Sequence, residues 1–178
     1  MIRAAILLRG VNVGRGNRIA MADFARAVAD AGASDVRTLL NSGNAVCTTH
    51  LDADCLAARV RERLLTDLAL DVPVIARTAD SIDDVVALDP LAAVADDPSR
   101  TLVVFLDRAP GAAALDALAA VASGDEVWAV HGRELHLWLP AGVADSAVNK
   151  ALMKGVLGVT WTGRNWSTVL KIQAALRP

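Results

Sequence analysis

Aromatic side chains are scarce in this sequence, which has four Trp, two Phe and no Tyr among its 178 residues. Only one of them, Phe24, lies in the first 78 residues. Proteins that read single-stranded nucleic acid on a sheet stack the bases on exposed aromatic rings. The first part of the chain lacks those rings, so nucleic acid is a weaker candidate ligand here than a small molecule.

Cysteine and long apolar runs are also scarce. Cys47 and Cys55 are the only cysteines and form no CxxC or Cys/His pattern, which is typical of a reducing cytosol rather than of a disulfide framework. The opening apolar run is interrupted at Arg3 and ends at Arg9, too short for an export signal or a membrane span. We therefore expect a soluble, cytoplasmic protein with no membrane partner.

Acidic residues are absent before Asp23, whereas four arginines precede it. Three of the four lie in residues 9–18, here called the arginine loop, with the sequence Arg-Gly-Val-Asn-Val-Gly-Arg-Gly-Asn-Arg. Its three glycines allow positive φ and close backbone approach, and guanidinium groups suit phosphate or carboxylate. The loop matches neither the P-loop nor the GxGxxG pattern. It predicts an anion site; the alternative is a structural loop whose arginines pair with nearby acids.

The apolar spacing predicts the order β-α-β-β-α-β over residues 1–78, the arrangement of ferredoxin-like domains. The strands are predicted at residues 2–8, 36–40, 45–49 and 72–78. The first helix is predicted to begin near Met21. The second helix is predicted after residue 52, and Asp52 or Asp54 can cap its start. The apolar fraction of 54% allows a packed core.

This topology has a consequence for function. Strand three is expected to lie between strands one and two and antiparallel to both, so the arginine loop and the turn at residues 41–44 emerge at the same edge of the sheet. The turn, Asn-Ser-Gly-Asn, can offer a hydroxyl and amides to a ligand beside the arginines. The two loops are therefore predicted to form one site.

The second half is predicted to be a smaller α+β subdomain, residues 101–178, after a linker at 79–100. Its predicted pattern is β-α-β-β-α with a closing segment around residues 159–162, and this order is loosely similar to that of the first half. Ser146 can cap one helix, and Arg164-Asn165-Trp166 is expected to cap and anchor the last. His131 and His136 flank a predicted hairpin turn, where we expect exposed side chains and no metal site, because no third ligand has suitable spacing.

Six segments carry a resemblance to a known family and follow the order found there: Leu8–Gly14, Val36–Thr38, Ser42–Asn44, Val72–Val74, Arg164–Trp166 and Thr168–Val169. In these motifs the chain resembles, over nearly its whole length, the bacterial family known as domain of unknown function 1697. The resemblance implies a two-part α+β protein with ferredoxin-like elements and no particular reaction. Residues 39–41 stand where an aromatic and a glutamine are usual, and Gly163 and Ser167 stand where Thr and Asn are commoner.

The leading hypothesis is a protein that binds a small phosphate-bearing or other anionic ligand. The alternatives are an enzyme of phosphoryl or acyl transfer or hydrolysis at the same edge, which needs a general base or metal that the two loops lack, and a scaffold protein without a ligand. The sequence identifies no catalytic residue and no cofactor, and leaves the oligomeric state open. The predicted ligand-binding residues are Arg9, Asn12, Gly14, Arg15, Arg18, Ser42, Gly43, Asn44, Arg164 and Asn165.

Overall fold

The structure, a computed structural model, describes residues 1–14 and 16–177. Its residues form two compact units, one made of Met1–Ala87 with the chain from Leu170 onward, the other of Leu88–Val169. The division at 1–78, 79–100 and 101–178 remains a proposal for the domains. Among the described residues, no helix has the length and apolarity needed to cross a bilayer.

The first unit is a four-stranded sheet with helices. Its sheet has the order β2-β3-β1-β4, and every neighbouring pair is antiparallel. Strand three thus lies between strands one and two, which confirms the ferredoxin-like topology. The elements are β1 (Ile2–Leu8), α1 (Met21–Asp30), β2 (Ala33–Leu39), β3 (Asn44–Thr49), α2 (Ala53–Leu68), β4 (Val74–Thr78) and α3 (Ala79–Leu88).

The core of this unit follows from alternation along the strands. Ala4, Ile6 and Leu8 lie on one face of β1 and are fully buried with residues of α1 and α2, because successive strand side chains point to opposite faces. Asp52 caps α2 by accepting from the Cys55 backbone N–H at 2.8 Å. Cys47 lies in the core, and both cysteines are free.

The other face of this sheet is also covered. Ala5, Leu7 and Val46 are buried on it, as is the charged residue Arg77. The last turns of helix α6 (Trp166–Leu176) are joined to the unit by polar contacts. Arg3 and Arg37 donate to the Ala175 carbonyl, and Gln173 donates to Asp83 of α3 at 2.7 Å.

The second unit repeats the topology of the first. Its sheet has the order β6-β7-β5-β8, again with antiparallel neighbours. The closing segment is therefore a fourth strand, and the unit is a second β-α-β-β-α-β arrangement. Its elements are β5 (Thr101–Leu106), α4 (Ala112–Val121), β6 (Val127–His131), β7 (Glu134–Trp138), α5 (Ala147–Met153) and β8 (Trp161–Asn165), followed by α6.

The register shows that the repetition extends to single positions. Arg77 on β4 pairs with the fourth residue of β1, and Arg164 on β8 pairs with the third residue of β5. Both arginines are buried, and each precedes a capping residue of the next helix. Thr78 accepts from the Ser81 backbone N–H at 3.1 Å, and Asn165 accepts from that of Thr168 at 3.0 Å. The two units therefore share a last-strand arginine and a polar cap as well as a strand order.

Candidate functional site

The arginine loop leaves the sheet between the turn at 41–44 and the start of β4. The Leu8 backbone N–H donates to the Gly43 carbonyl at 2.8 Å, and the Arg9 N–H donates to the Pro73 carbonyl at 3.0 Å. These bonds place the beginning of the loop beside the turn. The predicted convergence of the two loops at one edge of the sheet is confirmed.

Asn12 joins the two loops. Its side-chain amide donates at 2.9 Å to the carbonyl of Ile19 and at 2.9 Å to that of Asn41, while its Oδ1 accepts from the Ile19 N–H at 3.0 Å. Its own backbone N–H donates to the Asn17 carbonyl at 3.0 Å. Asn12 therefore closes the arginine loop on itself and ties it to the turn, so its part in any site is to position other groups.

Gly43 permits the close contact between the turn and the loop. It has φ of +74°, and a Cβ there would lie 2.6 Å from Val11 Cγ2 and 2.7 Å from Leu8 Cβ. Asn44 is fully buried, and its amide donates at 3.0 Å to the Leu39 carbonyl and at 3.0 Å to Ser42 Oγ. Gly43 and Asn44 thus shape the turn, whereas Ser42 is exposed at its tip.

The arginines differ in their surroundings. Arg9 is half-buried, and burial lowers the pKa of its guanidinium from the ordinary value, because a charged group loses hydration there. Arg18 is exposed and donates to the Gly14 carbonyl at 2.8 Å. Arg15 lies outside the described residues. Asp23, the first acid in the sequence, pairs with Arg26 on its own helix.

Two exposed aliphatic residues at this edge were missed by the sequence analysis. Val13 is 69% exposed and follows Asn12 directly, and Leu40 is 47% exposed and precedes Asn41. Leu40 also has φ of +58°, a conformation that costs a branched apolar side chain free energy. The available signal was an apolar residue directly before a turn, at a position where polar residues are usual.

Arg164 and Asn165 lie in the second unit and have partners there. Arg164 is 7% exposed and donates to Thr162 Oγ1 at 2.8 Å and to the Gly163 carbonyl at 2.7 Å. Its burial lowers the pKa of the guanidinium to about 10. Asn165 caps α6, as expected from the sequence. Both residues therefore make structural contacts within the second unit.

His136 corrects the expectation that both hairpin histidines are exposed. His131 is exposed, but His136 is only 1% exposed, and its ring centroid lies 6.5 Å from that of Trp166. Along β7, the His136 side chain lies on the other face of the sheet from Leu135 and Leu137, and this face is also covered. Burial, with a smaller effect of His131, lowers the pKa of His136 to about 4. Within the described residues its Nε2 has no hydrogen-bond partner.

Comparison with known proteins agrees with this architecture. A solved structure, that of conserved bacterial protein SP0830 from Streptococcus pneumoniae, has a TM-score of 0.78 and is 22% identical, covering 100% of this chain and 99% of that one. The likeness shows the fold alone. A comparison with curated proteins finds no match. The family model described as protein of unknown function (DUF1697) matches residues 1–136, and the chain therefore belongs to the DUF1697 family.

Proposed function

We propose that this protein binds a small phosphate-bearing or other anionic ligand at the arginine edge, defined as the arginine loop together with the turn at 41–44. The observation that carries the proposal is the pair of bonds from the Asn12 amide, which hold an arginine-rich loop against a hydroxyl-bearing turn. A site needs such a fixed arrangement, because each group that must be ordered on binding reduces the affinity.

The charge of the edge supports an anion. Residues 9–18 and 41–44 contain three arginines and no Asp, Glu or His. Asp23 is engaged by Arg26, and among the described residues Arg18 makes no ion pair. Arg9 is partly desolvated, and a charge-assisted hydrogen bond from such a group to an anion is stronger than one in open solvent.

The backbone supports the same conclusion. Gly10, Asn12, Gly14 and Asn17 all have positive φ, and left-handed residues of this kind take part in the anion-binding concavities formed by successive backbone N–H groups. Helix α1 begins directly after the loop, and Ala20 at its N-cap provides no side-chain cap. The positive end of the helix dipole is therefore near the arginines.

The exposed side chains of Val13 and Leu40 indicate a ligand that has an apolar portion beside its anionic group. The Asn12 amide joins Asn12 to Asn41. Val13 is adjacent to the first of these residues and Leu40 to the second, and both side chains are exposed. Aliphatic side chains can contact an acyl chain or the face of a nucleobase. A nucleoside monophosphate or an acyl phosphate combines the two chemistries, and extended nucleic acid is less suitable because the edge has no aromatic ring.

Binding is proposed ahead of catalysis because the two loops contain no residue suited to proton transfer near neutral pH. A phosphoryl- or acyl-transfer enzyme would require such a group from elsewhere in the chain. We also propose a cytoplasmic location, which the two free thiols support.

The experiment is a titration with inorganic phosphate and with nucleoside monophosphates, followed by amide NMR shifts and calorimetry. We expect shifts in residues 9–18 and 41–44, and a loss of affinity in Arg9→Ala and Arg18→Ala of roughly 1–3 kcal/mol, the range for a hydrogen bond to a charged group. Arg9→Lys tests whether the forked guanidinium is needed.

Arg59→Ala is the matched control, because Arg59 is exposed on α2 and its removal changes the net charge equally. If Arg9→Ala and Arg18→Ala bind phosphate as tightly as Arg59→Ala, the edge is a structural loop and the proposal is wrong.

A further inference from the structure

A second cluster of charged residues lies at the opposite end of β1 from the arginine edge. A cavity of 420 Å³ is lined by Arg3, Asp35, Val36, Arg37 and Thr48, here called the β-bulge cleft. Arg3 on β1 pairs with Thr48 on β3, which in turn pairs with Ser34 on β2. The cleft therefore crosses three neighbouring strands of the first unit, and its volume suits a small ligand.

An irregularity in β2 shapes the cleft. The pairing with β3 shifts between Ser34, which lies opposite Thr48, and Arg37, which lies opposite Val46, so that Asp35 and Val36 share the single position of Cys47. Asp35 has φ of +50°, which is uncommon for a residue other than glycine. Bulges of this kind redirect side chains and are frequent beside functional sites. Here the bulge brings an acidic residue to the same cavity as two arginines.

The two arginines are held close together. Arg3 Nη2 donates to the Ala175 carbonyl at 3.1 Å, and Arg37 Nη2 donates to the same oxygen at 2.8 Å. The two Nη2 atoms are therefore at most about 6 Å apart, and the two positively charged groups repel each other. One carbonyl oxygen occupies one donor of each guanidinium, and each group has five. The other donors can serve a ligand.

Asp35 does not neutralise the arginines directly. Across residues 1–14 and 16–177, neither Arg3 nor Arg37 forms an ion pair with a carboxylate. The cleft is lined by two positively charged groups and one negatively charged group. The two arginines also contact the C-terminal end of α6 at Ala175, and this end carries about half an elementary negative charge. The sum is close to neutral, which disfavours a dianion and favours a ligand that itself has both signs.

We propose that the β-bulge cleft binds a small zwitterion of the amino-acid type, whose carboxylate bridges Arg3 and Arg37 and whose ammonium group faces Asp35. Thr48 supplies a hydroxyl donor to the same carboxylate. Guanidinium groups match the planar carboxylate with paired hydrogen bonds, and the carboxylate takes the place of solvent between two repelling charges. This site is separate from the arginine edge and does not depend on it.

The test is a titration of the full chain with the proteinogenic L-amino acids, first pooled and then singly, observed by amide NMR. We expect saturable shifts at residues 3, 35–37 and 48. Arg37→Ala and Asp35→Asn should each weaken the affinity about tenfold or more, the effect of a lost charge-assisted bond. The N-acetylated form of the bound amino acid should be weaker by a similar factor, since it lacks the ammonium group.

Controls separate this site from the other. Arg9→Ala and Arg59→Ala should bind the amino acid like the parent chain. Arg37→Lys, which keeps the charge but lacks the planar fork, should bind more weakly than the parent chain while its amide spectrum remains that of the folded protein. The proposal is overturned if no amino acid shifts these residues or if Arg37→Ala binds normally. It is equally overturned if Asp35→Asn or the N-acetylated ligand binds as well or better, because the cleft would then be a plain anion site.

Discussion

The side-chain amide of Asn12 donates to the carbonyl of Asn41 at 2.9 Å, across 29 residues of sequence. This bond joins the loop after the first strand to the turn after the second. It exists because β3 lies between β1 and β2, which brings both connections to one edge. The Asn12 amide thus holds the arginine edge together with the backbone bond from Leu8 to the Gly43 carbonyl.

Replacement of Asn12 by alanine should therefore destabilise the first unit by about 1.5–4.5 kcal/mol, since three side-chain hydrogen bonds are lost at about 0.5–1.5 kcal/mol each and two of them are partly buried. Asn12→Gly loses the same bonds but relieves the positive φ, so it should be about 1 kcal/mol less damaging. Urea unfolding measures both. Equal stability of Asn12→Ala and the parent chain would show that the loop is held by other contacts.

The tight contact at Gly43 leads to a second prediction. Gly43→Ala combines a positive φ with a Cβ that would meet Val11 and Leu8, whereas Gly10→Ala has a similar φ of +65° and open space. We expect about 1 kcal/mol of destabilisation for Gly10→Ala and about 2–4 kcal/mol for Gly43→Ala. Thermal unfolding measures the destabilisation of each variant, and the difference between the two is the steric contribution of the Cβ at residue 43. Similar values would mean that the turn shifts to accommodate the methyl group.

Variants of Leu40 test whether this residue lowers the stability of the fold but increases the affinity for the ligand. Its φ of +58° and its exposure both disfavour leucine, so Leu40→Gly should be neutral or stabilising by up to about 1 kcal/mol. Leu40→Ala, which keeps the strained φ, is the matched comparison. If Leu40 contacts the apolar part of the ligand, both variants should bind a nucleoside monophosphate less tightly while binding inorganic phosphate unchanged. An equal loss for both ligands would contradict that role.

His136 makes the stability depend on pH. Its folded pKa of about 4 lies below the ordinary value of 6.5, so the unfolded chain takes up a proton first as the pH falls. Stability should decrease between about pH 6.5 and 4, by at most about 1.4 kcal/mol per pH unit from this group, and then level off with respect to it. Above about pH 7 the contribution is constant. Urea unfolding at several pH values above 5, where most carboxylates are ionised, measures the slope.

His136→Phe should flatten that slope because it removes the titrating group, while His131→Phe, at an exposed position, should change it little. The Trp166 ring near His136 provides a local fluorescence signal for the same transition. A slope that persists in His136→Phe would assign the pH dependence to other groups.

Some features of the molecule could be read from its sequence because they depend on local chemistry and on periodicity. The apolar run from Ile2 to Leu8 predicts a strand, and Asp52 and Ser146 mark helix starts; the structure confirms all three. The order of the first six elements, with the rule for ferredoxin-like units, was enough to predict the convergence of the arginine loop with the turn at 41–44.

Other features were decided by tertiary structure alone, because they depend on which residues the register places side by side. Arg3 and Arg37 are distant in sequence, and nothing local shows that both reach the Ala175 carbonyl or that a bulge brings Asp35 to them. The sequence pattern around His136 is also that of a hairpin residue facing solvent. His136 is buried only because the second face of its sheet is covered as well. In the sequence, Asn12 is an ordinary polar loop residue. Its structural role follows from its 2.9 Å hydrogen bond to the carbonyl of Asn41, 29 residues away. Periodicity tells which face a side chain takes, and long-range packing decides what that face meets.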